Sequence, residues 1–348
     1  MQSDNITLYN KISFYKNNII MLYGQYTNAV PIDRVYIEID SPYEILFSDI
    51  KFADLGSNIR SPNSASGDFL IKIKNTGENI HSTIPKITFY SHDATEITVF
   101  KNVELQFPLN EHNLQLSKAS SAIICTMCKT YTHRLDEWIQ YHLNLGFSGI
   151  VIFNNDTNDK NSLHENIAYA GNGPSLETLT KKYKNKIFVI NFPYYPLPNV
   201  FWSHIQRAIL TIGANFFKDT CKHIAIIDAD EFIYLHTQSN IEKFLQNYDS
   251  TLGMQGDVLT NINSADTINN NVLELARYLS HEAYPKIILH SNSISADEFI
   301  ITPHTHHSEQ KMNKKDIMFF HCLLNERHHY NANMGKIDYL YNQQCTYS

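Results

Sequence analysis

Fifteen residues decide the fold: Cys221–Leu235, CKHIAIIDADEFIYL. The run His223–Ile227 is short, apolar and rich in β-branched side chains, which is the pattern of a buried strand. It ends on Asp228-Ala229-Asp230-Glu231-Phe232, so three carboxylates crowd its C-terminal end. Side chains alternate along an extended chain, sending Asp228 and Asp230 to one side and Glu231 to the other. Two carboxylates at the carboxyl edge of an α/β sheet, where ligands collect, suit a divalent cation, and the cation suits a diphosphate. Acidic turns of this length are also common on solvated loops, so the flanking pattern has to decide.

Upstream, Ala122–Thr126 is strand-like, and Leu135, Trp138, Ile139, His142 and Leu143 follow at helical spacing up to Gly146. A second strand, Ile150–Phe153, runs into a polar turn, Asn154–Asp159. A helix begins at Ser175, and Ile187–Ile190 is a third strand. A proline-bearing loop, Phe192–Pro198, leads to a helix with the stripe Phe201, His204, Ile205, Ala208, Ile209 and Ile212. Strands alternating with helices imply a largely parallel sheet with covered faces and a site at the C-terminal strand ends. Both Asn154–Asp159 and Asp228–Glu231 fall there. Downstream, the pattern predicts a helix over Ile241–Tyr248, a strand over Gly253–Thr260, a short helix over Val272–Leu279, a strand over Lys286–His290, and an apolar run, Ile317–Phe320, ending in His321.

Residues 1–117 have a different texture. Ile6–Tyr9, Ile19–Tyr23, Val35–Ile39, Phe69–Ile73, Ile87–Tyr90 and Ile97–Leu105 are short runs separated by Asn, Asp, Ser, Gly and Pro, which predicts a β-sandwich. Pro108–Ser121 reads as a linker, so the expected division is a β-sandwich-like domain over 1–117 and an α/β domain over 118–348. A length of 348 residues allows two ordinary domains, and 43% hydrophobic with 18% charged residues marks a folded chain. The net charge of −7 argues against nucleic-acid binding through phosphates. Five scattered cysteines make a disulfide framework unexpected, and Cys125-x-x-Cys128 lacks a second pair for zinc. Neither a signal peptide nor an apolar span of about 20 residues is visible. The expected location is cytoplasmic, or peripheral at the inner face of a membrane.

Four stretches in order carry a resemblance. They are Thr126-Met127-Cys128-Lys129, Glu137-Trp138-Ile139-Gln140-Tyr141-His142 with Leu145-Gly146, Phe153-Asn154-Asn155-Asp156-Thr157-Asn158-Asp159, and Asp228-Ala229-Asp230-Glu231-Phe232. Through them residues 122–235 resemble the nucleotide-sugar glycosyltransferases of GT-A fold, a Rossmann-like α/β fold. Among them they resemble most the group related to glycosyltransferase family 92, which includes galactosyltransferases and galactan synthases. Thr130-Tyr131 stand where that family carries Asn-Glu, and His223 stands where it carries Trp or Tyr.

The resemblance implies metal-dependent transfer of a sugar, galactose from UDP-galactose, with inversion, to a glycan acceptor in polysaccharide or glycoconjugate synthesis. Mn²⁺ or Mg²⁺ is the implied cofactor, held by Asp228, Asp230 and His321, with His304 as runner-up. Thr126, Lys129, Asn155, Asp159, Gln206, Asp228 and Arg327 are the implied donor-binding residues. The base that deprotonates the acceptor hydroxyl is sought among Asp266, Glu282, Asp297 and Glu298, Asp266 first. Glu231 is expected to anchor the turn, and Trp138, Tyr141 and His142 to pack. The aromatic residues of the N-terminal domain either stack on glycan or fill its core. A rival reading is a catalytically inactive glycan-binding protein with the same fold. A nucleotidyltransferase ranks last, because the Gly- and Arg/Lys-rich triphosphate loop is missing.

Overall fold

The computed structural model describes residues 7–16, 18–28, 35–52, 65–77, 83–91, 96–104, 107–108, 114, 116–128, 132–155, 174–192, 202–260, 278–294, 304, 309–322 and 335–336. The chain divides into two compact units. One takes Met1–Glu111 with Phe192–Ile212 and Ser295–Ile300; the other takes His112–Asn191, Gly213–Ile294 and Ile301–Ser348.

Among the described residues the N-terminal stretch supplies eight strands: β1 Thr7–Lys16, β2 Ile19–Asn28, β3 Val35–Ile39, β4 Tyr43–Phe52, β5 Ala65–Asn75, β6 Thr83–Ser91, β7 Glu96–Glu104 and β8 Phe107–Pro108. They form two mainly antiparallel sheets, in the orders β4-β5-β2-β1-β8 and β3-β6-β7. In central β2, Ile20 to Tyr23 are all buried, as a strand covered on both faces requires. β4 has no counterpart among the predicted strands. A register shift between Ile45 and Phe47 puts a bulge at Leu46, which is exposed. One extra residue throws the apolar alternation out of phase and hides the strand from a period-two reading.

The second unit is built on one mixed sheet. Its strands are β9 Ala122–Cys128, β10 Gly149–Asn154, β11 Ile187–Asn191, β12 His223–Ile226, β13 Glu231–Leu235, β14 Leu252–Thr260, β15 Tyr278–His290, β16 Gln310–Lys311, β17 Ile317–Cys322 and β18 Gly335–Lys336. The described helices are α1 Thr132–Asn144, α2 Leu176–Lys182, α3 Trp202–Phe217, of which the part up to Ile212 belongs to the first unit, and α4 Ile241–Leu245. Gly146, at φ +103°, ends α1 in the left-handed conformation that glycine adopts without steric cost. Ser175 caps α2, its hydroxyl accepting from the Thr178 N–H.

The main path through the sheet is β11-β10-β9-β12-β15-β14-β17-β13. β11, β10, β9 and β12 are parallel, as the βα alternation predicts. From β12 onward the sheet reverses: β12–β15, β15–β14 and β17–β13 are antiparallel, and β14–β17 is parallel. The expectation of a mostly parallel sheet therefore holds for only half of it. The helix expected over Val272–Leu279 also fails at its described end, where Tyr278 and Leu279 open β15. Pairing with β14 overrides local helix propensity there.

β12 and β13 are joined by residues 227–230 yet stand four places apart in the sheet. Four strand spacings of a flat sheet amount to about 19 Å. Five fully extended residue steps reach only about 18 Å. The linker is in fact a tight turn, with the Glu231 N–H donating to the Asp228 carbonyl at 3.1 Å. The sheet therefore curls until β13 returns beside β12, and the acidic turn bridges the mouth of the curl.

Candidate active site

Reciprocal bonds close the turn. While the Glu231 N–H bonds the Asp228 carbonyl, the Asp228 N–H donates to Glu231 Oε2 at 2.9 Å. Glu231 is buried, whereas Asp228 and Asp230 keep partial exposure. The alternation of the acidic stretch thus sends Glu231 inward and leaves the two aspartates at the surface.

A cation that the sequence pattern did not assign to the site sits among these carboxylates. Lys286 of β15, its side chain only 3% exposed, places Nζ 2.5 Å from Asp228 Oδ2 and 3.1 Å from Glu231 Oε1. Burial pulls the ammonium toward neutrality, but the charges and hydrogen bonds of Glu231 and Asp228 outweigh it and hold Lys286 above the usual lysine range. Burial and the adjacent Asp228 push Glu231 above the carboxylate range, with Lys286 opposing. The only sequence signal was a lone lysine opening the apolar run Ile287-Ile288-Leu289.

His321, next to last in β17, pairs directly opposite Glu231. Its Nε2 lies 3.4 Å from Asp230 Oδ2, and its Nδ1 lies 3.9 Å from Glu231 Oε1. Burial works against charging the ring, but the hydrogen bond and charge of Asp230, helped by Glu231 and Asp228, raise His321 to about 9. Burial likewise pushes Asp230 up, and His321 with Lys286 more than offsets it, leaving this carboxyl below its usual range.

Once His321 gives up its proton, Asp230 and His321 offer an oxygen and a nitrogen donor side by side, a set that manganese accepts. Among the described residues no three His, Cys, Asp or Glu side chains are arranged to hold one metal ion. Asp228 and Glu231 are engaged by Lys286 instead. The donor set fits a cation that takes two protein ligands and completes its shell from phosphate and water, as small divalent ions commonly do.

The turn is held from behind by α1. β13 ends the sheet path, and its even-numbered residues face β17, as in the 2.9 Å bond from the Cys322 N–H to the Asp230 carbonyl. The odd-numbered groups on its other edge are met by side chains of one helix face. Trp138 Nε1–H donates to the Glu231 carbonyl at 2.7 Å, and the Tyr141 hydroxyl to the Ile233 carbonyl at 2.7 Å. The Ile233 N–H donates to His142 Nε2 at 3.3 Å. His142 Nδ1 donates to the Trp138 carbonyl at 2.9 Å, so the ring is the neutral Nδ1–H tautomer. Burial accordingly drives its pKa down to about 3. Trp138, Tyr141 and His142 do pack, but they also substitute for a missing neighbour strand. The sequence could not announce this, because the edge position of β13 is a product of the curl.

The carboxyl ends of β9 and β10 are level, Asn154 pairing with Cys128, and the Asn155 N–H donates to the Cys128 carbonyl at 2.8 Å. Thr126 and Asn155 are both fully buried there. Gln206 lies on the part of α3 that belongs to the first unit. Glu282 is exposed on β15 and pairs with Lys314 at 3.2 Å, while Lys314 also holds Asp257 at 2.7 Å. His304 donates from Nδ1 to the Pro285 carbonyl at 2.9 Å. Lys129, Asp159, Asp266, Asp297, Glu298 and Arg327 lie outside the described residues. Cys125 and Cys128 are buried three apart on one strand, hence on opposite faces and unable to share a metal.

No family model matches the chain. Two curated relatives match parts of it. A glycosyltransferase family 92 protein of Oryza sativa subsp. japonica is 27% identical over 131 residues, 38% of this chain and 19% of the relative. A glycosyltransferase family 92 protein of Ricinus communis is 24% identical over 137 residues, 39% of this chain and 21% of the relative. The chain spans about a fifth of the length of these relatives. Among the described residues no helix is long and apolar enough to cross a membrane.

Proposed function

We propose that the chain is a glycosyltransferase of GT-A fold, its catalytic domain preceded by a β-sandwich, that transfers a sugar from a nucleotide diphosphate donor to a glycan with the help of Mn²⁺ or Mg²⁺. The observation that carries this reading is the outward-facing Asp230–His321 pair on a strand-end turn whose other carboxylates are already neutralised. The names of both relatives support the reaction class. The finer choice, galactose from UDP-galactose with inversion, rests on the resemblance of residues 122–235.

Asp230 and His321 would hold the cation, which when bound neutralises the negative charge that builds on the departing diphosphate. Lys286 fixes Asp228 through Oδ2, and this carboxylate would accept from a ribose hydroxyl of the donor. Its buried positive charge adds to the field that a diphosphate meets at the turn. Glu231 holds the turn shut from inside. Acceptor deprotonation falls to one of Asp266, Glu282, Asp297 and Glu298.

One observation favours the second reading, an inactive glycan-binding protein: Lys286 engages a carboxylate that a cation would otherwise use. Calorimetric titration of UDP with and without Mn²⁺ separates the two, followed by a hydrolysis screen over UDP- and GDP-sugars. Manganese-dependent UDP binding and donor hydrolysis, both lost in Asp230→Ala, are expected. Absence of UDP binding in either condition sinks the transferase reading.

A further inference from the structure

We infer that Tyr284 is a stacking platform for a neutral pyranose ring of the acceptor glycan, at the rim of the acidic turn. The inference deepens the proposed function and rests on that reading for the word acceptor.

It begins with an irregularity in β15. Met254 pairs with Lys286 and Gly256 with Ala283, so Tyr284 and Pro285 together oppose the single residue Gln255. This is a β-bulge, a device that re-aims side chains and gathers beside active sites. Proline suits it, having no N–H to withdraw from the ladder. Because opposed residues share a face, Ala283 and Lys286 both turn the way Met254 and Gly256 do. Ala283 packs on the core and Lys286 reaches Asp228. The bulge that sends Lys286 inward leaves Tyr284 outside, 80% exposed.

Among the described residues only Leu46 and Tyr284 are exposed large hydrophobic side chains, and both occupy bulges. Leu46 shows that a bulge alone can shed an apolar residue. Tyr284 differs in three respects. Its ring is backed by the His304 imidazole, with centroids 5.6 Å apart. That imidazole is itself pinned to the bulge by its bond to the Pro285 carbonyl. A buttressed ring loses little freedom on binding, which is how tyrosine supplies contact area at low entropic cost.

The second difference is place: the His304 imidazole that backs Tyr284 lies within reach of the charges of Lys286 and Asp228, so a ligand on the ring lies near the turn proposed for the donor. The third is polar company. Glu282, Lys314 and Asp257 form an ion-paired cluster on and beside the same strand, with Glu282 exposed. A pyranose presents an apolar C–H face to an aromatic ring and hydroxyls at its rim to charged groups. An exposed aromatic ring next to a carboxylate and an ammonium matches both, whereas a purely apolar ligand would leave the charged cluster uncompensated.

The test uses the full chain and three neutral probes: galactotetraose, cellotetraose and chitotetraose. Saturation-transfer NMR reads sugar binding, and calorimetry on the same samples reads UDP binding with Mn²⁺. At least one probe is expected to bind. Tyr284→Ala should weaken it by about tenfold, while Tyr284→Phe and Tyr284→Trp stay within about threefold. Equal binding by Tyr284→Ala, or no binding of any probe to the unsubstituted chain, overturns the inference. The proposed function fails separately: sugar binding that depends on Tyr284 without any UDP binding leaves a lectin-like protein. UDP binding with sugar binding indifferent to Tyr284 removes the platform alone.

Discussion

Replacing His142 by phenylalanine keeps a ring among Trp138, Phe147 and Phe232, all within 6 Å of it between centroids. It removes the acceptor for the Ile233 N–H, and leaving a buried N–H unpaired costs about 1–3 kcal/mol. At pH 7.5 the His142→Phe variant should be less stable by that amount. The second consequence runs with pH. His142 titrates near 6.5 when unfolded and at about 3 when folded, so below pH 6.5 the unfolded state binds more protons. Stability contributed by the neutral ring is complete above 6.5 and is lost as pH falls toward 3, at about 1.4 kcal/mol per pH unit. Between pH 6.5 and 5 the wild type therefore loses about 2 kcal/mol that the His142→Phe variant, having no imidazole, cannot lose. The two stability curves should converge near pH 5. Urea unfolding followed by Trp138 fluorescence, in a Trp202→Phe background to silence the other tryptophan, measures both at pH 7.5, 6.5, 5.5 and 5.0. Parallel curves across that range would refute the buried neutral imidazole. Equal stability at pH 7.5 would refute the role of His142 at the strand edge.

Two further outcomes follow from the acidic turn. Lys286→Met should destabilise the second unit by about 3–5 kcal/mol, since it strands Asp228 and Glu231 without their counter-charge; a loss under about 1 kcal/mol in thermal or urea melts would mean the ammonium is not between them. His321, raised to about 9, contributes stability that is full below pH 6.5 and lost as pH climbs through 9. Its ¹³C-labelled ring should titrate near 9 by NMR and fall toward 6.5 in Asp230→Asn, and an unchanged titration would break the proposed pair.

The half of the second sheet that the sequence disclosed is the half with unbroken apolar runs. Ala122–Cys125 and Ile150–Phe153 are buried on both faces, so nothing polar interrupts them and neither strand depends on reading an alternation. Ser175 and Gly146 marked helix ends through local backbone chemistry, which needs no tertiary context. β4 and the first half of β15 were hidden for one physical reason: bulges at Leu46 and at Tyr284-Pro285 shift the phase of alternation, and a proline inside a run speaks against a strand. The acidic residues of the site were visible because they adjoin one another. Lys286 was not, because it meets Asp228 from 58 residues away along a strand whose partner could not be foreseen.

The fold sorts three carboxylates that the sequence presents as equals. Asp228, Asp230 and Glu231 stand within four residues, and three like charges so close would repel one another strongly in a partly buried turn. β15 delivers Lys286 to two of them and β17 delivers His321 to the third. Both cations arrive on strands of the reversed half of the sheet: β15 pairs with β12 just before the turn, and β17 pairs with β13 just after it. The reversal that departs from a simple parallel sheet is therefore what makes the acidic turn stable. It also divides the turn into a pair locked on a buried lysine, Asp228 with Glu231, and an aspartate beside a histidine, Asp230. A ligand that competes for Asp230 and His321 trades one carboxylate–imidazole contact for its own bonds. A ligand that competes for Asp228 and Glu231 must expose or strand a buried ammonium, at a cost of several kcal/mol. Under the proposed function, that difference would favour Asp230 over Asp228 as the metal ligand, even though Asp228 comes first in the sequence and looks the same.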